Sequence, residues 1–486
     1  MEVGSTIHVM RVIFVKTCRF WTILGTVLSA CFSGLGQDTP MSTKVRLSRH
    51  VNTAAHEYLP CPCPDGTTMY FAGMDRTGFF DFKLDFIEQA NSGGEDIFVT
   101  QFNRGLWSDA KPVHALNTRG HETVTQCTKA GLLISANYPE NLGLRDETDG
   151  LQSEDLFEIK NPNSDAPRIL HLPEPVNSIY NEFDGWRWGG ALLFTSDRPG
   201  ATGEYHLKGW KWNGHYWGNT DVYVAFQGDF GWERVVRLPD GINTPNAERT
   251  PRLSEDGKTL WLSRMTASQG MEILSFTRED TRDWETWNGP FVVSHANTAG
   301  DDWGYVETGQ HRAFWGSALP LSFQPTMPAY GGDAGSFRET NYRTGYTVVG
   351  RQTASLLRTT QSDIFTASTH GLPDVVLEDV LFQHASSDLQ PRATETLLRL
   401  VDLCLMNRAS TLRLVGHTDN SGTDAFNLQL SLDRAQEVKA FLLSNGATNT
   451  IEVEGKGESQ PLNDNGNEDK RRQNRRVEIF IAPGNS

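Results

Sequence analysis

The sequence predicts a multidomain protein in which a repetitive all-β region, residues 44–368, precedes a small α+β domain, residues 374–486. Its 486 residues include 45 Gly, 13 Trp and 25 Phe, a composition typical of short strands joined by tight turns. One signature recurs along the first region, and after residue 374 strands alternate with amphipathic helices. These three observations predict the two fold classes.

The recurring signature is an apolar strand, an Asn followed by Ser or Thr, and an acid five residues after the Asn. Repeating units that carry such a signature together with Asp-Gly turns and periodic aromatic residues are typical of β-propeller blades. Because the Asn and the acid occur in every unit, we interpret them as blade scaffolding rather than as a ligand ring. The five pairs are Asn52/Glu57, Asn117/Glu122, Asn177/Glu182, Asn243/Glu248 and Asn297/Asp302.

Five strands of the type Asp96–Val99 predict five blades, with six as the alternative. The strand at 45–53 precedes the first blade, so we predict that it completes the last blade and closes the ring, which removes exposed sheet edges. The units, most clearly residues 238–263, resemble the TolB-like, WD-repeat-like propeller repeats of bacterial envelope proteins. An aromatic insert at 201–219 departs from this pattern, and we interpret it as packing on its own blade rather than as a binding platform.

The N-terminus has the layout of a secretory signal within residues 1–36. Three basic residues lead into an apolar run at 20–30 that is too short to span a bilayer. Either residues 28–31 form a lipobox in which Cys31 is lipidated, or ordinary cleavage occurs near residues 34–36. Export predicts an oxidising compartment, in which Cys127 could form a disulfide with either Cys61 or Cys63.

The α+β domain is predicted from its periodicity. The interior-facing residues of the first helix include Cys404, which we interpret as a core residue. We expect strands at 375–382, 412–415, 451–455 and 477–482, with helices at 391–407 and 430–445.

Several motifs of this domain keep their order and spacing, and together they resemble the OmpA-like peptidoglycan-binding domain. They are GHTDNSG at 416–422, Asn427, Arg434-Ala435, GKGESQP at 455–461 and NRRV at 474–477. The resemblance implies binding, without catalysis, of the free end of meso-diaminopimelate in the cell-wall stem peptide. This end carries both an ammonium group and a carboxylate.

By resemblance, Asp419 takes the ammonium group and Arg434 forks onto the carboxylate, a geometry that suits a planar guanidinium. Asn427 supplies a hydrogen bond near the start of a helix, where backbone amides favour an anion. Thr418 and Arg475 complete the predicted site. The domain departs from the family pattern at residues 470–472. A local basic cluster either meets anionic wall polymer or is simply solvated, and it consists of Lys470, Arg471, Arg472, Arg475 and Arg476.

The formal net charge of −16 argues against nucleic acid as a partner. His56-Glu57 and His121-Glu122 lack the second His of a zinc motif, and no Gly-x-Ser-x-Gly nucleophile elbow occurs. We therefore predict no metal, no cofactor and no enzymatic activity.

The predicted function is that of a non-enzymatic protein on the periplasmic face of the outer membrane that holds peptidoglycan. A lipid or a partner would tether its N-terminus, and the propeller would bind an unidentified envelope protein, as an accessory of a machine such as type IX secretion. The alternative is a propeller-based hydrolase acting on glycan or peptide at the cell wall.

Overall fold

The computed structural model describes residues 44–483 except for 53–55, 75–94, 104–105, 119, 144–152, 201–210, 213–214, 217–219, 267–269, 299, 310–311, 321–337, 341–346, 350–359, 369–372, 379–381, 383–385 and 392. The signal at 1–36 with Cys31 and most of the aromatic insert therefore lie outside the described residues. No helix in the described ranges is long and apolar enough to cross a membrane.

The described residues up to 368 form five larger antiparallel sheets and two small hairpins, and the first described strand is β1 (Val45–Arg46). The first sheet contains β2 (Glu57–Pro62), β3 (Thr68–Met74), β4 (Glu95–Asn103), β5 (Leu106–Trp107) and β6 (Lys111–Pro112). The second contains β7 (Glu122–Thr128), β8 (Gly131–Ala136), β9 (Asp155–Lys160) and β10 (Arg168–His171).

The third sheet contains β11 (Glu182–Trp188), β12 (Ala191–Ser196), β15 (Asp221–Gly228) and β16 (Gly231–Arg237), with the small hairpin β13 (Lys211–Trp212) and β14 (His215–Tyr216) inserted. The fourth contains β17 (Glu248–Leu253), β18 (Thr259–Thr266), β19 (Gly270–Thr277) and β20 (Asn288–Val292). The fifth contains β21 (Asp302–Thr308), β22 (Arg312–Pro320), β25 (Thr360–Ser368) and β1, with the inserted hairpin β23 (Arg338–Thr340) and β24 (Thr347–Val349).

The five sheets follow one another in a cyclic order of contacts. The strand that begins with the repeat acid is the first strand of its sheet, and it packs against the first strand of the next sheet. The contacts run from β2 to β7, β11, β17 and β21, and from β21 back to β2. In addition, β1 pairs with β25, with Val45 opposite Thr366 and Arg46 opposite Phe365, so the N-terminal strand completes the fifth sheet as the sequence predicts.

The repeat Asn residues bind backbone, as the scaffolding interpretation expects. The Asn243 side-chain oxygen accepts from the Val222 N–H at 2.7 Å, and its amide donates to the carbonyls of Val222 and Leu238 at 3.0 and 2.8 Å. Asn52 makes the same three bonds to Ile364 and Leu47, which ties the turn after β1 to the last strand of the fifth sheet.

The repeat acids close the turn in front of their own strands. Glu122, Glu182, Glu248 and Asp302 each accept from the backbone N–H and the hydroxyl of the Ser or Thr four residues earlier. Glu182 and Glu248 are also paired with arginines.

Glu122 is a repeat acid without an arginine partner among the ion pairs of the described residues, and burial raises the pKa of its carboxyl to about 7 despite the Thr118 hydrogen bonds. Between about pH 4.5 and about pH 7, Glu122 keeps a proton in the folded protein that it has lost in the unfolded chain. The stabilisation that protonated Glu122 gives to the folded state therefore declines as the pH rises through this range. We expect Glu122→Gln to flatten this decline, as measured by urea unfolding at several pH values. Parallel pH profiles of the two proteins would contradict the assignment.

A disulfide joins the first and second sheets through Cys63 and Cys127, which resolves the choice that the sequence left open. Cys61, two residues before Cys63, is a buried free thiol. Cys404 is a buried core residue of the C-terminal domain, as predicted.

The C-terminal domain is a four-stranded sheet packed against helices, in the order β26–β29–β27–β28, where only β27 and β28 are parallel. Its core is made by apolar residues of α1, α2 and all four strands. The elements are β26 (Val375–Glu378), α1 (Ala393–Met406), β27 (Ser410–His417), α2 (Asp424–Ser444), β28 (Thr450–Gly455), α3 (Glu468–Asn474) and β29 (Arg476–Pro483).

One predicted boundary is wrong, and another is described only in part. β26 is described as far as Glu378, residues 379–381 of the predicted strand lie outside the described residues, and Phe382 forms an isolated bridge with Leu389. The second helix begins at Asp424, not at residue 430, because the Thr423 hydroxyl caps it by accepting from the Phe426 N–H. This earlier start brings Asn427 into the first turn of α2.

Candidate functional site

The candidate site lies where β27 and β28 end beside the first turns of α2. Gly416 and Gly455 are opposite each other at the ends of these parallel strands. A Cβ at Gly416 would lie 1.9 Å from the Ser431 carbonyl oxygen, so only glycine permits α2 to approach this closely. The Ser431 hydroxyl then accepts from the Gly457 N–H at 2.9 Å, which fixes the loop after β28 to the helix.

Asp419 follows β27 at the centre of this site, and its residue surface is 6% exposed. One carboxylate oxygen accepts from the Ser421 N–H at 2.9 Å, and the other accepts from Arg475 Nη1 at 2.6 Å. Burial alone would raise the pKa of Asp419, but the hydrogen bonds from Arg475 and Ser421 outweigh it and hold the pKa below its ordinary value. Asp419 is therefore an anion at neutral pH.

Arg434 is the buried cation of the site, with 1% of its surface exposed. Its Nε donates to the Ser386 carbonyl at 3.1 Å, and its guanidinium carbon lies 5.1 Å from the centre of the Phe382 ring. A guanidinium cannot lose its proton in a protein, so a full positive charge is held inside the domain, under an aromatic face.

Asn427 and Thr418 lie beside these two charges. The Asn427 amide donates to the Asp419 carbonyl at 3.2 Å and to a Glu458 carboxylate oxygen, so it positions the loop that carries Asp419. The Thr418 N–H is bonded to the Gly457 carbonyl. Its buried hydroxyl has no hydrogen-bond partner among the described residues.

Arg475 bridges Asp419 to the short helix α3. Its Nη2 lies 2.7 Å from a Glu468 carboxylate oxygen, and Glu468 is the first residue of that helix. The structure thus brings four of the five predicted residues together. Asp419 contacts Asn427 and Arg475 directly, and Thr418 precedes Asp419 in the chain. The fifth residue, Arg434, lies further along α2.

Four of the five residues of the predicted basic cluster form ion pairs with local acids. The side chain of Arg476 is buried. The ion pairs are Lys470–Asp464, Arg471–Glu468, Arg475–Glu468 and Arg476–Glu478.

Sequence reasoning missed three contributors, namely Glu458, Glu468 and Ser386. Glu458 lies inside the GKGESQP motif, but only the fold shows that it contacts Asn427. Asn467 caps α3 and acids follow it, a helix-start signal that could have located Glu468. Ser386 acts through its backbone carbonyl, for which the sequence carries no signal.

Within the described ranges, no group of three or more His, Cys, Asp or Glu side chains is arranged to hold a metal ion. What the site offers chemically is one buried anion and one buried cation on neighbouring elements, together with an unsatisfied hydroxyl.

Residues 381–475 match the model of the OmpA family. The C-terminal domain is therefore an OmpA family domain, in agreement with the resemblance seen in the motifs.

Three relatives are similar to part of this chain. They are outer membrane protein A of Bordetella avium, 39% identical over 105 residues; outer membrane porin F of Pseudomonas fluorescens, 40% over 104; and the outer-membrane lipoprotein YfiB of Pseudomonas aeruginosa, 39% over 104. Each match covers 21% of this chain and, in that order, 54%, 32% and 61% of the relative. The chain therefore spans less than two thirds of each of these relatives.

Proposed function

We propose that the C-terminal domain binds the free end of diaminopimelate in peptidoglycan, without catalysis, and thereby holds the protein to the cell wall. The observation that carries this proposal is a pair of buried, ionised side chains of opposite charge. Asp419 lies in the segment before α2, and Arg434 lies on α2.

The ligand chemistry follows from the two charges. The ammonium group of diaminopimelate would pair with the Asp419 carboxylate, which Arg475 keeps ionised. Its carboxylate would receive two parallel hydrogen bonds from the Arg434 guanidinium. The Thr418 hydroxyl lies buried beside Asp419 without a partner in the described part of the chain, and a ligand group would satisfy it, since an unmade buried hydrogen bond is costly.

The relatives support the location. Their names place them in the outer membrane, and one is a lipoprotein. We infer that this protein lies on the periplasmic face of the outer membrane, tethered at its N-terminus by lipid or by a partner. Binding of the wall by the C-terminal domain would then link the membrane to peptidoglycan.

The five sheets are, in our proposal, the blades of one closed propeller. The cyclic contacts of the first strands and the pairing of β1 with β25 support this. A propeller of this kind would serve as a platform for an envelope protein, as in an accessory of a secretion machine. This second role rests on the domain combination alone.

The proposal is tested by sedimenting the full mature chain with purified peptidoglycan. We expect retention by diaminopimelate-type wall and not by lysine-type wall, because lysine lacks the second carboxylate. Asp419→Asn removes the anion and is expected to weaken binding about tenfold, the value of one charge-assisted hydrogen bond.

Glu437→Gln provides the matched control. It removes one carboxylate from an exposed position on α2 and is expected to bind as the unaltered chain does. Equal retention on both wall types, or unchanged retention of Asp419→Asn, would refute the proposal.

A further inference from the structure

The turn after β1 contacts the C-terminal domain through a histidine that lies between two carboxylates. His50 Nε2 is 2.9 Å from Asp402 Oδ2, and His50 Nδ1 contacts Asp109 Oδ1. Asp402 belongs to α1 of the C-terminal domain, whereas Asp109 follows β5 in the first sheet. The imidazole ring therefore connects three segments from two domains.

The donors and acceptors of these three groups determine which protonation state of His50 can form both hydrogen bonds. An ionised carboxylate only accepts hydrogen bonds, and a neutral imidazole has one N–H donor and one acceptor nitrogen. Both contacts of His50 can be hydrogen bonds at once only when both ring nitrogens carry a proton. The arrangement is thus complete only for the cationic form of His50.

The charges around His50 balance when it is cationic. Arg49 Nε lies 3.0 Å from Asp402 Oδ1, and Arg399 Nη2 lies 3.1 Å from Asp109 Oδ2. The hydrogen bond from His50 contributes most to lowering the pKa of Asp109, so the Asp109 carboxylate stays ionised. The charged groups facing His50 are Arg49 on its own turn, Asp109 after β5, and Asp402, Arg399 and, through Arg399, Glu395 on α1.

Two further contacts between the domains involve groups that do not titrate. The Asn407 side chain, at the end of α1, accepts from the Arg46 N–H at 3.0 Å and donates to the Arg46 carbonyl at 2.8 Å. Val45 and Leu106 lie in the same apolar cluster as the core of the C-terminal domain. These two contacts do not depend on the protonation of His50, whereas the bridge from Asp109 to Asp402 does.

We propose that His50 is a proton-dependent latch between the sheet region and the OmpA family domain. With its proton, His50 bridges Asp109 to Asp402 and holds the domains docked. Without it, one hydrogen bond is lost and the two carboxylates face a neutral ring, so the docked state is weakened. Acidification of the surrounding compartment then fixes the orientation of the wall-binding domain, and a rise in pH frees it.

The latch is tested on the full mature chain with spin labels on Phe230→Cys, which is exposed in the turn between β15 and β16, and on Glu437→Cys of α2. Distance distributions are recorded at about pH 5.5 and about pH 8, on either side of the ordinary histidine pKa. We expect one narrow distance at the lower pH and an undocked population that rises about tenfold at the higher pH, the factor for one charge-assisted hydrogen bond.

His50→Gln is expected to abolish this pH dependence, and Asp402→Asn, which removes the negative charge that faces His50 Nε2, is expected to weaken it. His114→Gln replaces an exposed histidine that takes no part in the bridge between Asp109 and Asp402 and is expected to keep the pH dependence of the parent. Circular dichroism at both pH values verifies that each protein is folded. A parent distribution that does not change with pH, or a His50→Gln variant that changes as the parent does, would overturn the proposal.

Discussion

Replacement of Arg434 by Gln is expected to weaken binding of diaminopimelate-type peptidoglycan about 100-fold, the largest effect on binding of any single change in the domain. Two parallel charge-assisted hydrogen bonds would be lost together, and each corresponds to about a factor of ten. Arg434→Lys keeps the charge but loses the planar fork, so it is expected to restore only part of the affinity. Sedimentation of the full chain with purified wall measures both variants.

Arg472→Gln is the matched control, because it removes an exposed arginine from α3 in the same domain. It is expected to leave the affinity unchanged. Thermal unfolding checks that the Arg434 variants remain folded, since Arg434 also bonds the Ser386 carbonyl. A folded Arg434→Gln variant that binds as tightly as Arg472→Gln would exclude Arg434 from the site.

Replacement of Arg46 by Met is expected to lower the free energy of unfolding by about 3–5 kcal/mol, the cost of removing one partner of a buried ion pair. Arg46 on β1 lies 2.5 Å from Asp363 on β25, and the exposed fractions of the two side chains are 5% and 0%. Burial raises the pKa of Asp363 to about 7, against the opposing effect of Arg46. The loss is therefore expected in full at about pH 8 and is smaller at about pH 5.5, where Asp363 can bind a proton.

Urea unfolding at both pH values measures this effect, and the double variant Arg46→Met/Asp363→Asn is expected to recover most of the loss. Arg282→Met, which removes an exposed arginine of a local pair, is expected to give no measurable change. If Arg46→Met were as stable as Arg282→Met at about pH 8, β1 would not be an integral strand of the fifth sheet, and the proposed closure of the ring would fail.

The repeat was predictable because the same residue types make the same backbone hydrogen bonds in successive units. Asn243 and Asn52 bind backbone in equivalent places, so the signature is visible in the sequence wherever the fold needs it. The two-residue strand β1 was predictable for the same reason, since the fifth unit otherwise lacks an outer strand. The motifs of the C-terminal domain likewise led to Asp419 and Asn427, which the fold brings into contact.

The errors have physical causes. The first turns of α2 were missed because Phe426 and Leu428 are exposed, which breaks the apolar periodicity on which helix prediction depends. Helix α3 is seven residues long and entirely polar, so it has no apolar face to detect. The pairing of Asp419 with Arg475 joins residues 56 positions apart, and the contact of His50 with Asp402 joins residues 352 apart. Only the fold brings such pairs together.

The most direct test of the central claim is a calorimetric titration of the full mature chain with a soluble muropeptide that ends in free diaminopimelate. Two analogues are titrated in parallel, one with the terminal carboxylate amidated and one with the terminal amine acetylated. Pairing of Arg434 with the carboxylate and of Asp419 with the ammonium predicts saturable binding of the free form and weakening by about tenfold or more for each analogue. Equal affinity for all three ligands, or no binding of the free form, would contradict the account.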